Sequence, residues 1–385
     1  MRTDQSQPAR AAFKRSAEFI PLAGRARSGQ GCRGRRGNGI NFARHLLVLL
    51  LLVLWAVPTR AQQKQLNLFI WSEYIDPAVV AGFSQRFNCK VTIDLYEDEE
   101  SMMSKLQGGG VSLYDVIVPS NLLAPALIKM KMVAPLRPAA IPNLKNLDAK
   151  FVNPAYDRGN RHTVPFQWGT VGVFLRKTSG EPVEESWGLF FDPGRQPGQF
   201  LLIDSMRDLI GAALKYRGCG LNTTDIEQLK EARQLLLSAK RRSLGFEGAV
   251  GGKNRVLAKG ASAAIVYSGD AVRGMSEDPD TSYFIPKEGS QIWVDNLAIP
   301  AQAPHHDMAE KFLNYILDAQ VGAKQANFSQ YATPNKAAKP FLNSNDLKNP
   351  AIYPLPEVMQ RLEFAADLGA QSRLYDEVWT HIKAK

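Results

Sequence analysis

Residues 66–83 of the chain read LNLFIWSEYIDPAVVAGF. The first five residues alternate in polarity as a β-strand does, and Asp76 followed by Pro77 is typical of a helix start. Val79 and Phe83 then fall on one face of that helix. The stretch therefore predicts a strand that passes through a short loop into an amphipathic helix.

The same pattern continues along the next part of the chain. A strand is predicted from Cys89 to Tyr96, a helix from about Ser101, and a strand from Tyr114 to Val118. This succession predicts an α/β fold with a mostly parallel sheet covered by helices. Ligands of such sheets bind beyond the carboxyl ends of the strands, where Trp71–Tyr74 and Pro119–Asn121 are predicted to lie.

A long extended segment from His162 to Arg176 suits a strand that crosses from one lobe into another. The α/β pattern then restarts. Further predicted elements are a strand at Phe200–Ile203, helices at 207–216 and 225–239, the latter opened by a capping box of Thr224 with Glu227, a strand at 261–266, a helix capped by Asp307, and helices near 357–368 and 374–384.

The segment from Gln291 to Pro300 carries the first sign of function. Side chains alternate along a strand, so Trp293 and Asp295 share one face. A ring face attracts a cation and a carboxylate pairs with it, so the two together indicate a site for an organic ammonium group. The structural alternative is a core tryptophan beside an aspartate that caps a turn.

Charge is concentrated at the amino terminus. The 385 residues carry a net charge of +10, and residues 1–61 hold eleven Lys/Arg and two Asp/Glu, a net of +9. The remainder has 36 basic and 35 acidic residues, a net of +1. A nearly neutral body argues against nucleic-acid binding.

The basic segment has the layout of a secretory signal. Twelve apolar residues, Leu46 to Val57, follow several arginines and precede Pro58–Ala61. This run is too short for a membrane-spanning helix, so a cleavable signal peptide ending at Ala61 and export to the periplasm are predicted. An uncleaved anchor is the alternative.

The sequence predicts neither a catalytic site nor a metal site. The five histidines lie beside no nucleophile motif, and a Gly-x-Ser-x-Gly sequence is absent. Gly251-Gly252-Lys253 lacks the other residues of a phosphate loop, and His305-His306-Asp307 is expected to be a solvated loop. Cys89 and Cys219 are expected to be unlinked thiols.

Several blocks in one order resemble the periplasmic spermidine/putrescine-binding proteins of polyamine ABC transporters, from about Leu66 to the carboxyl terminus. The blocks are Trp71–Tyr74, Tyr114–Ser120, Pro165–Gly169, Ile285–Gly289, Trp293–Pro300 and Thr333–Asn335.

The resemblance implies a two-lobed periplasmic binding protein fold, type II-like, in which each lobe is a mixed sheet flanked by helices and a hinge joins the two. We expect residues 1–61 to be leader and signal peptide. Lobe 1 is expected to comprise 62–170 plus 295–341, and lobe 2 to comprise 171–294 plus 342–385.

The resemblance also implies a set of ligand-binding side chains. An aromatic box would hold the methylene chain, acids would neutralise the ammonium groups, and two serines would add polar contacts. These residues are Trp71, Tyr74, Tyr267, Trp293 and Tyr331, then Asp208, Asp270 and Asp295, and finally Ser72 and Ser120.

Three positions depart from the spermidine-binding pattern, namely Leu122 in place of Tyr, Ser205 in place of Asp, and Ala365 in place of Gln. The loss of an acid and a polar group makes a diamine or another organic cation as plausible as spermidine. The resemblance implies a monomeric, non-enzymatic receptor without cofactor that delivers a polyamine to permease subunits at the inner membrane. The alternatives are another organic cation, an anion, or an exported enzyme on the same scaffold.

Overall fold

The computed structural model describes residues 63–177 and 183–384. The predicted signal peptide lies outside these residues. The strands are β1 (Lys64–Trp71), β2 (Cys89–Tyr96), β3 (Val116–Ile117), β4 (Thr163–Arg176), β5 (Phe200–Ile203), β6 (Phe246–Glu247), β7 (Ala263–Tyr267), β8 (Thr281–Phe284), β9 (Ser290–Ala298) and β10 (Leu362–Phe364).

Helices flank these strands. They are α1 (Pro77–Phe87), α2 (Glu99–Gln107), α3 (Ala124–Lys129), α4 (Gly188–Phe191), α5 (Met206–Tyr216), α6 (Ile226–Arg242), α7 (Ala249–Leu257), α8 (Ser268–Glu277), α9 (His306–Ile316), α10 (Ala319–Ser329), α11 (Ser344–Leu347), α12 (Pro356–Met359) and α13 (Ser372–Ala384). Within the described ranges, none of the helices has the length and apolar character needed to cross a bilayer.

The strands form a mixed sheet in the order β2-β1-β3-β9-β4-β7-β5-β6, with β10 beside β9 and β8 beside β4. The pairs β1/β2, β1/β3, β5/β7 and β5/β6 are parallel, whereas β4 runs antiparallel to β7, β8 and β9. The predicted α/β class and mixed sheets are therefore confirmed.

Strand β4 connects the two halves of the sheet. Its residues from Thr163 to Thr170 pair with β9, and those from Val171 to Leu175 pair with β7. The strand is buried along almost its whole length, which explains why its sequence is a nearly continuous apolar run rather than an alternating one.

The segment 66–83 folds as predicted. Asp76 is the N-cap of α1 and accepts a hydrogen bond from the backbone N–H of Ala78, while Val79 and Phe83 are buried. Strands β1 and β3 are both parallel members of one sheet, so the loops that follow them lie at the same edge.

Two predicted helix caps are wrong. Helix α6 begins at Ile226, and the side chain that accepts from its first free N–H groups is Asp225, not Thr224. An ionised carboxylate is the stronger acceptor for these donors. Asp307 lies inside the first turn of α9 and forms an ion pair with Arg137 at 2.5 Å instead of capping the helix.

The helix predicted near 357–368 is also wrong. Only Pro356–Met359 is helical, and Leu362–Phe364 forms β10, which pairs in parallel with Ser290–Ile292 of β9. The pairing with a distant strand overrides the local helical pattern. Cys89 is buried and Cys219 half-buried, and both are free thiols.

Candidate functional site

A cavity of about 190 Å³ lies at the edge of the sheet where β1 and β3 end. All ten side chains selected from the sequence line it: Trp71, Ser72, Tyr74, Ser120, Asp208, Tyr267, Asp270, Trp293, Asp295 and Tyr331. They belong to both halves of the sheet, so the fold brings together residues that are up to 260 positions apart in sequence.

Aromatic rings form a continuous wall. Tyr74 contacts Tyr331, Tyr331 contacts Trp293, and Trp293 contacts Tyr267, with ring centroids 5.5, 5.1 and 5.6 Å apart. Trp71 packs separately against Tyr96 at 4.5 Å. Such tilted and edge-to-face contacts stabilise the rings against one another and keep ring faces available to a guest.

Asp295 lies on the cavity face of β9 and is buried. The hydroxyl of Tyr74 donates to its Oδ2 at 2.6 Å. Burial raises the pKa of Asp295 well above its ordinary value, the charges of Glu99 and Asp208 act in the same direction, and the Tyr74 hydrogen bond opposes them. No Lys or Arg pairs with Asp295 among residues 63–177 and 183–384.

Asp208 lies in the first turn of α5 and is also buried. Tyr267 donates to its Oδ2 at 2.7 Å, and its Oδ1 has no hydrogen-bond partner within the described part of the protein. Burial raises the pKa of Asp208, against the lowering effect of the Ser205 and Tyr267 hydroxyls and of Arg207. The free oxygen is available to a guest.

Asp270 differs from the other two acids because it already has a basic partner. Arg273 approaches its Oδ1 at 2.5 Å and also donates to the backbone oxygen of Ser329. Burial raises the pKa of Asp270, whereas Arg273 and Lys253 lower it. Its charge is therefore partly neutralised inside the protein.

The lining also includes residues that the sequence analysis did not select, Glu99 and Gln291 among them. Glu99 is the first residue of α2, and its Oε1 accepts from the backbone N–H of Ser120 at 3.0 Å. Because β2 runs parallel to β1, the residues that follow β2 lie at the same edge of the sheet as those that follow β1, and Glu99 is one of them. Gln291 lies two residues before Trp293 on the same face of β9, which the alternation rule would have indicated.

Five buried polar atoms of the lining have no hydrogen-bond partner within the described residues. They are the indole Nε1 atoms of Trp71 and Trp293, Nε of Arg207, Oδ1 of Asp208 and Oε1 of Gln291. Buried polar groups are normally paired, so three donors and two acceptors remain for a guest or for water.

Three cavity acids share one structural setting. Glu99, Asp208 and Asp270 lie in the first turns of α2, α5 and α8. The amino-terminal end of a helix carries a partial positive charge that stabilises a nearby carboxylate by about 0.3–1 kcal/mol. This stabilisation offsets only part of the cost of burying the carboxylates.

The three departures noted in the sequence occupy different places. Leu122 and Ser205 line the cavity. Ala365 is buried, and its backbone oxygen accepts from the side-chain amide of Asn121 at 3.1 Å. Ser205 provides a hydroxyl next to Asp208, so a polar group is retained there.

A separate acidic cluster, His306, Asp307 and Glu310, has ligand atoms within 4.8 Å of one another. The guanidinium of Arg137 contacts both Asp307 and Glu310 at 2.5 Å. Since a fixed cation already neutralises these carboxylates, we assign no metal to them.

The chain matches the family of bacterial extracellular solute-binding proteins over residues 78–354. It belongs to this family.

Relatives of this solute-binding protein are similar over most of their length. The putrescine-binding periplasmic protein of Pseudomonas aeruginosa strain UCBPP-PA14 is 33% identical, with 84% of this chain and 93% of that one covered. The spermidine/putrescine-binding periplasmic protein of Escherichia coli K12 is 28% identical, with 89% and 99% covered. A solved structure from Listeria monocytogenes, named for a spermidine/putrescine ABC transporter, has a TM-score of 0.76 at 31% identity, with 83% and 99% covered.

These comparisons confirm the predicted likeness to spermidine/putrescine-binding proteins. They also confirm that the solute-binding protein is a component of transport and not an enzyme.

Proposed function

We propose that the protein is the substrate-binding component of an ABC importer and that it binds a small organic cation with two or more ammonium groups, a polyamine such as putrescine or spermidine. One observation carries the proposal. Asp295 and Asp208 are buried carboxylates beside ring faces, and neither forms an ion pair with a Lys or Arg side chain in the described part of the chain, although Arg207 lowers the pKa of Asp208. Burying an unpaired charge is unfavourable, so a cationic guest stabilises both.

The charge of the lining supports a cation over an anion. Eight acidic residues line the cavity, and the basic lining residue within the described ranges is Arg207. Its guanidinium is engaged by Asn222 at 2.7 Å and by the backbone oxygen of Ala366 at 3.0 Å.

The size of the cavity supports a small guest. Its volume of about 190 Å³ is somewhat larger than the roughly 150 Å³ cavity that takes up one benzene molecule. A diamine with a four-carbon chain has the same number of heavy atoms as benzene. The relatives named for putrescine and spermidine point to the same class of guest.

These groups can supply the binding free energy that micromolar affinity requires. Micromolar binding needs about 8 kcal/mol, and each cation–π contact contributes about 0.5–2 kcal/mol. Ion pairs with Asp295 and Asp208 would supply the remainder, because charge-assisted hydrogen bonds are the stronger ones.

We further propose two lobes, 62–170 with 295–341 and 171–294 with 342–385, joined by a hinge and closing over the guest. The change of partner along β4 supports this division, since Thr170 pairs with β9 and Val171 with β7. The chain would act as a periplasmic monomer, exported by its leader, and deliver the polyamine to permease subunits. The periplasmic relatives support that location.

Calorimetry of the purified protein against putrescine, spermidine, spermine, alanine and phosphate tests the proposal. We expect at least one amine to bind with micromolar affinity or better and the other two solutes not to bind. Asp295→Asn should lower amine affinity at least a hundredfold, because asparagine can still accept from Tyr74 but carries no charge.

Asp94→Asn is the matched control, since Asp94 also accepts from a tyrosine hydroxyl, that of Tyr114, at 2.6 Å, but does not line the cavity. Its amine affinity should equal that of the wild type. Binding of phosphate but of no amine would overturn the proposal, as would normal amine binding by Asp295→Asn.

A further inference from the structure

We infer that Glu99 is a specificity-determining residue that receives the second ammonium group of the guest, so that the site selects diamines over monoamines. The inference rests on the proposed function and identifies a residue to which neither the sequence motifs nor the comparisons assign a role.

The position of Glu99 is fixed by two elements. Asp98 caps α2 and accepts from the backbone N–H and the hydroxyl of Ser101 at 2.6 and 2.7 Å, which sets where the helix begins. Glu99 then reaches across to the backbone N–H of Ser120, just beyond β3. One carboxylate oxygen is thereby anchored to the wall of the cavity, and the other is left for a guest.

The charges in the cavity separate into paired and unpaired acids. Asp270 pairs with Arg273, and Asp204 pairs with Lys383 at 2.7 Å. Asp295, Asp208 and Glu99 have no such partner among the described residues. Glu99 and Asp208 both disfavour ionisation of Asp295, and Asp208 also disfavours that of Glu99, so the three are close enough to interact.

Three mutually repelling carboxylates are best neutralised by a guest with more than one positive charge. A monoamine at Asp295 would leave Glu99 without a counter-charge, whereas a diamine provides two separated ammonium groups on one chain. Aromatic contacts hold the methylene segment between them. The site therefore favours a guest with two positive charges over a guest with one, because the guest with one charge leaves Glu99 without a counter-charge.

Glu99 also compensates for the positions at which the sequence departs from the spermidine-binding pattern. The acid expected at Ser205 is absent and Leu122 replaces a tyrosine, which weakened the argument for a triamine. Glu99 contacts Ser120, two residues before Leu122, and supplies a carboxylate from a different element. The cavity thus retains a third unpaired acid.

The test compares Glu99→Gln with Glu288→Gln. Glutamine keeps the oxygen that accepts from Ser120 and removes only the charge. Glu288 is also half-buried and its Oε2 accepts from the backbone N–H of Trp187 at 3.2 Å, but it does not line the cavity, which makes it a matched control for net charge.

Calorimetry at pH 8 with putrescine and with butylamine, a monoamine of equal chain length, gives the readout. We expect Glu99→Gln to lower putrescine affinity at least tenfold and to leave butylamine affinity within twofold of wild type. Glu288→Gln should change neither by more than twofold. Thermal unfolding without amine should show Glu99→Gln at least as stable as wild type, because a repelling charge is removed.

Two results would overturn the inference and leave the proposed function intact. One is an unchanged putrescine affinity in Glu99→Gln, and the other is an equal loss in Glu288→Gln. If the wild-type protein binds no amine while Asp295→Asn is also inert, the proposed function fails and this inference fails with it.

Discussion

At the scale of single residues, the cavity holds acids whose protonation depends on the guest. Burial raises the pKa of Glu99 to about 7, and the charges of Glu100 and Asp208 add to this effect, while Ser120 opposes it. A neighbouring ammonium group would reverse the balance, because an opposite charge favours the ionised form. Ligand binding and proton release should therefore be linked.

We predict that putrescine affinity falls as the pH is lowered. Below pH 7 Glu99 is mostly protonated and must lose its proton before it can pair with an ammonium group. A single group with this pKa lowers the apparent affinity about tenfold between pH 8 and pH 6. Titrations at pH 6, 7 and 8 measure the effect. The same slope in Glu99→Gln would contradict the assignment to Glu99.

The stability of the protein without amine should change with pH in the opposite sense. The folded-state pKa of Glu99 is above its ordinary value, so its ionised form is less favourable in the folded chain than in the unfolded one. Stability is therefore lost as the pH rises from about 4.5 to 7. We predict that the Tm of wild type falls relative to that of Glu99→Gln between pH 5 and pH 8. A constant difference would contradict this.

At the scale of elements, close packing between β4 and β9 sets the position of the central indole. Gly169 of β4 pairs with Trp293 of β9. A Cβ at Gly169 would lie 2.6 Å from Cζ2 of Trp293 and 2.9 Å from Oγ of Ser268. Real side chains do not approach so closely, so the glycine is required for the ring to lie where it does.

We predict that Gly169→Ala displaces Trp293, lowers amine affinity at least tenfold and lowers the Tm by several degrees. Overpacking of this kind destabilises by about 1–3 kcal/mol. Gly248→Ala is the control, since Gly248 also lines the cavity but a Cβ there meets nothing within 4 Å. Calorimetry and thermal unfolding measure both variants. Equal behaviour of the two would show that the close approach does not hold the ring.

The sequence predicted elements whose pattern is local. The capped start of α1, the long strand β4 and the alternation of Trp293 and Asp295 needed only neighbouring residues. It failed for β10, whose strand character depends on pairing with β9. The resemblance implied ten cavity residues, of which Trp293 and Asp295 also followed from alternation. Alternation would have indicated Gln291 as well, whereas Glu99 required knowing that β2 runs parallel to β1.

At the scale of the whole molecule, one ion-pair network bridges the two halves of the sheet. Glu73 follows β1, adopts a positive φ of 51° and lies 3.2 Å from both Lys253 of α7 and Arg273 of α8. These two charges lower the pKa of Glu73, although burial opposes them. If the two halves move as lobes, these ion pairs stabilise the arrangement in which the halves are in contact.

We predict that Glu73→Gln lowers amine affinity roughly two- to fivefold, mainly by faster release, because partly exposed ion pairs contribute about 0.2–1 kcal/mol. Glu231→Gln is the control, since Glu231 pairs with Arg217 at 2.9 Å within one half. Stopped-flow measurement of amine release compares them. Equal release rates in both variants would argue against a bridging role for Glu73.

The cavity acids in the first turns of three helices lie outside the strands that form the framework of the fold. A substitution in the first turn of α2, α5 or α8 alters a counter-charge without changing a sheet hydrogen bond or the β4–β9 pair. Proteins with this scaffold can therefore change the charge of the ligands they accept through single codon changes, while the framework of the fold stays constant.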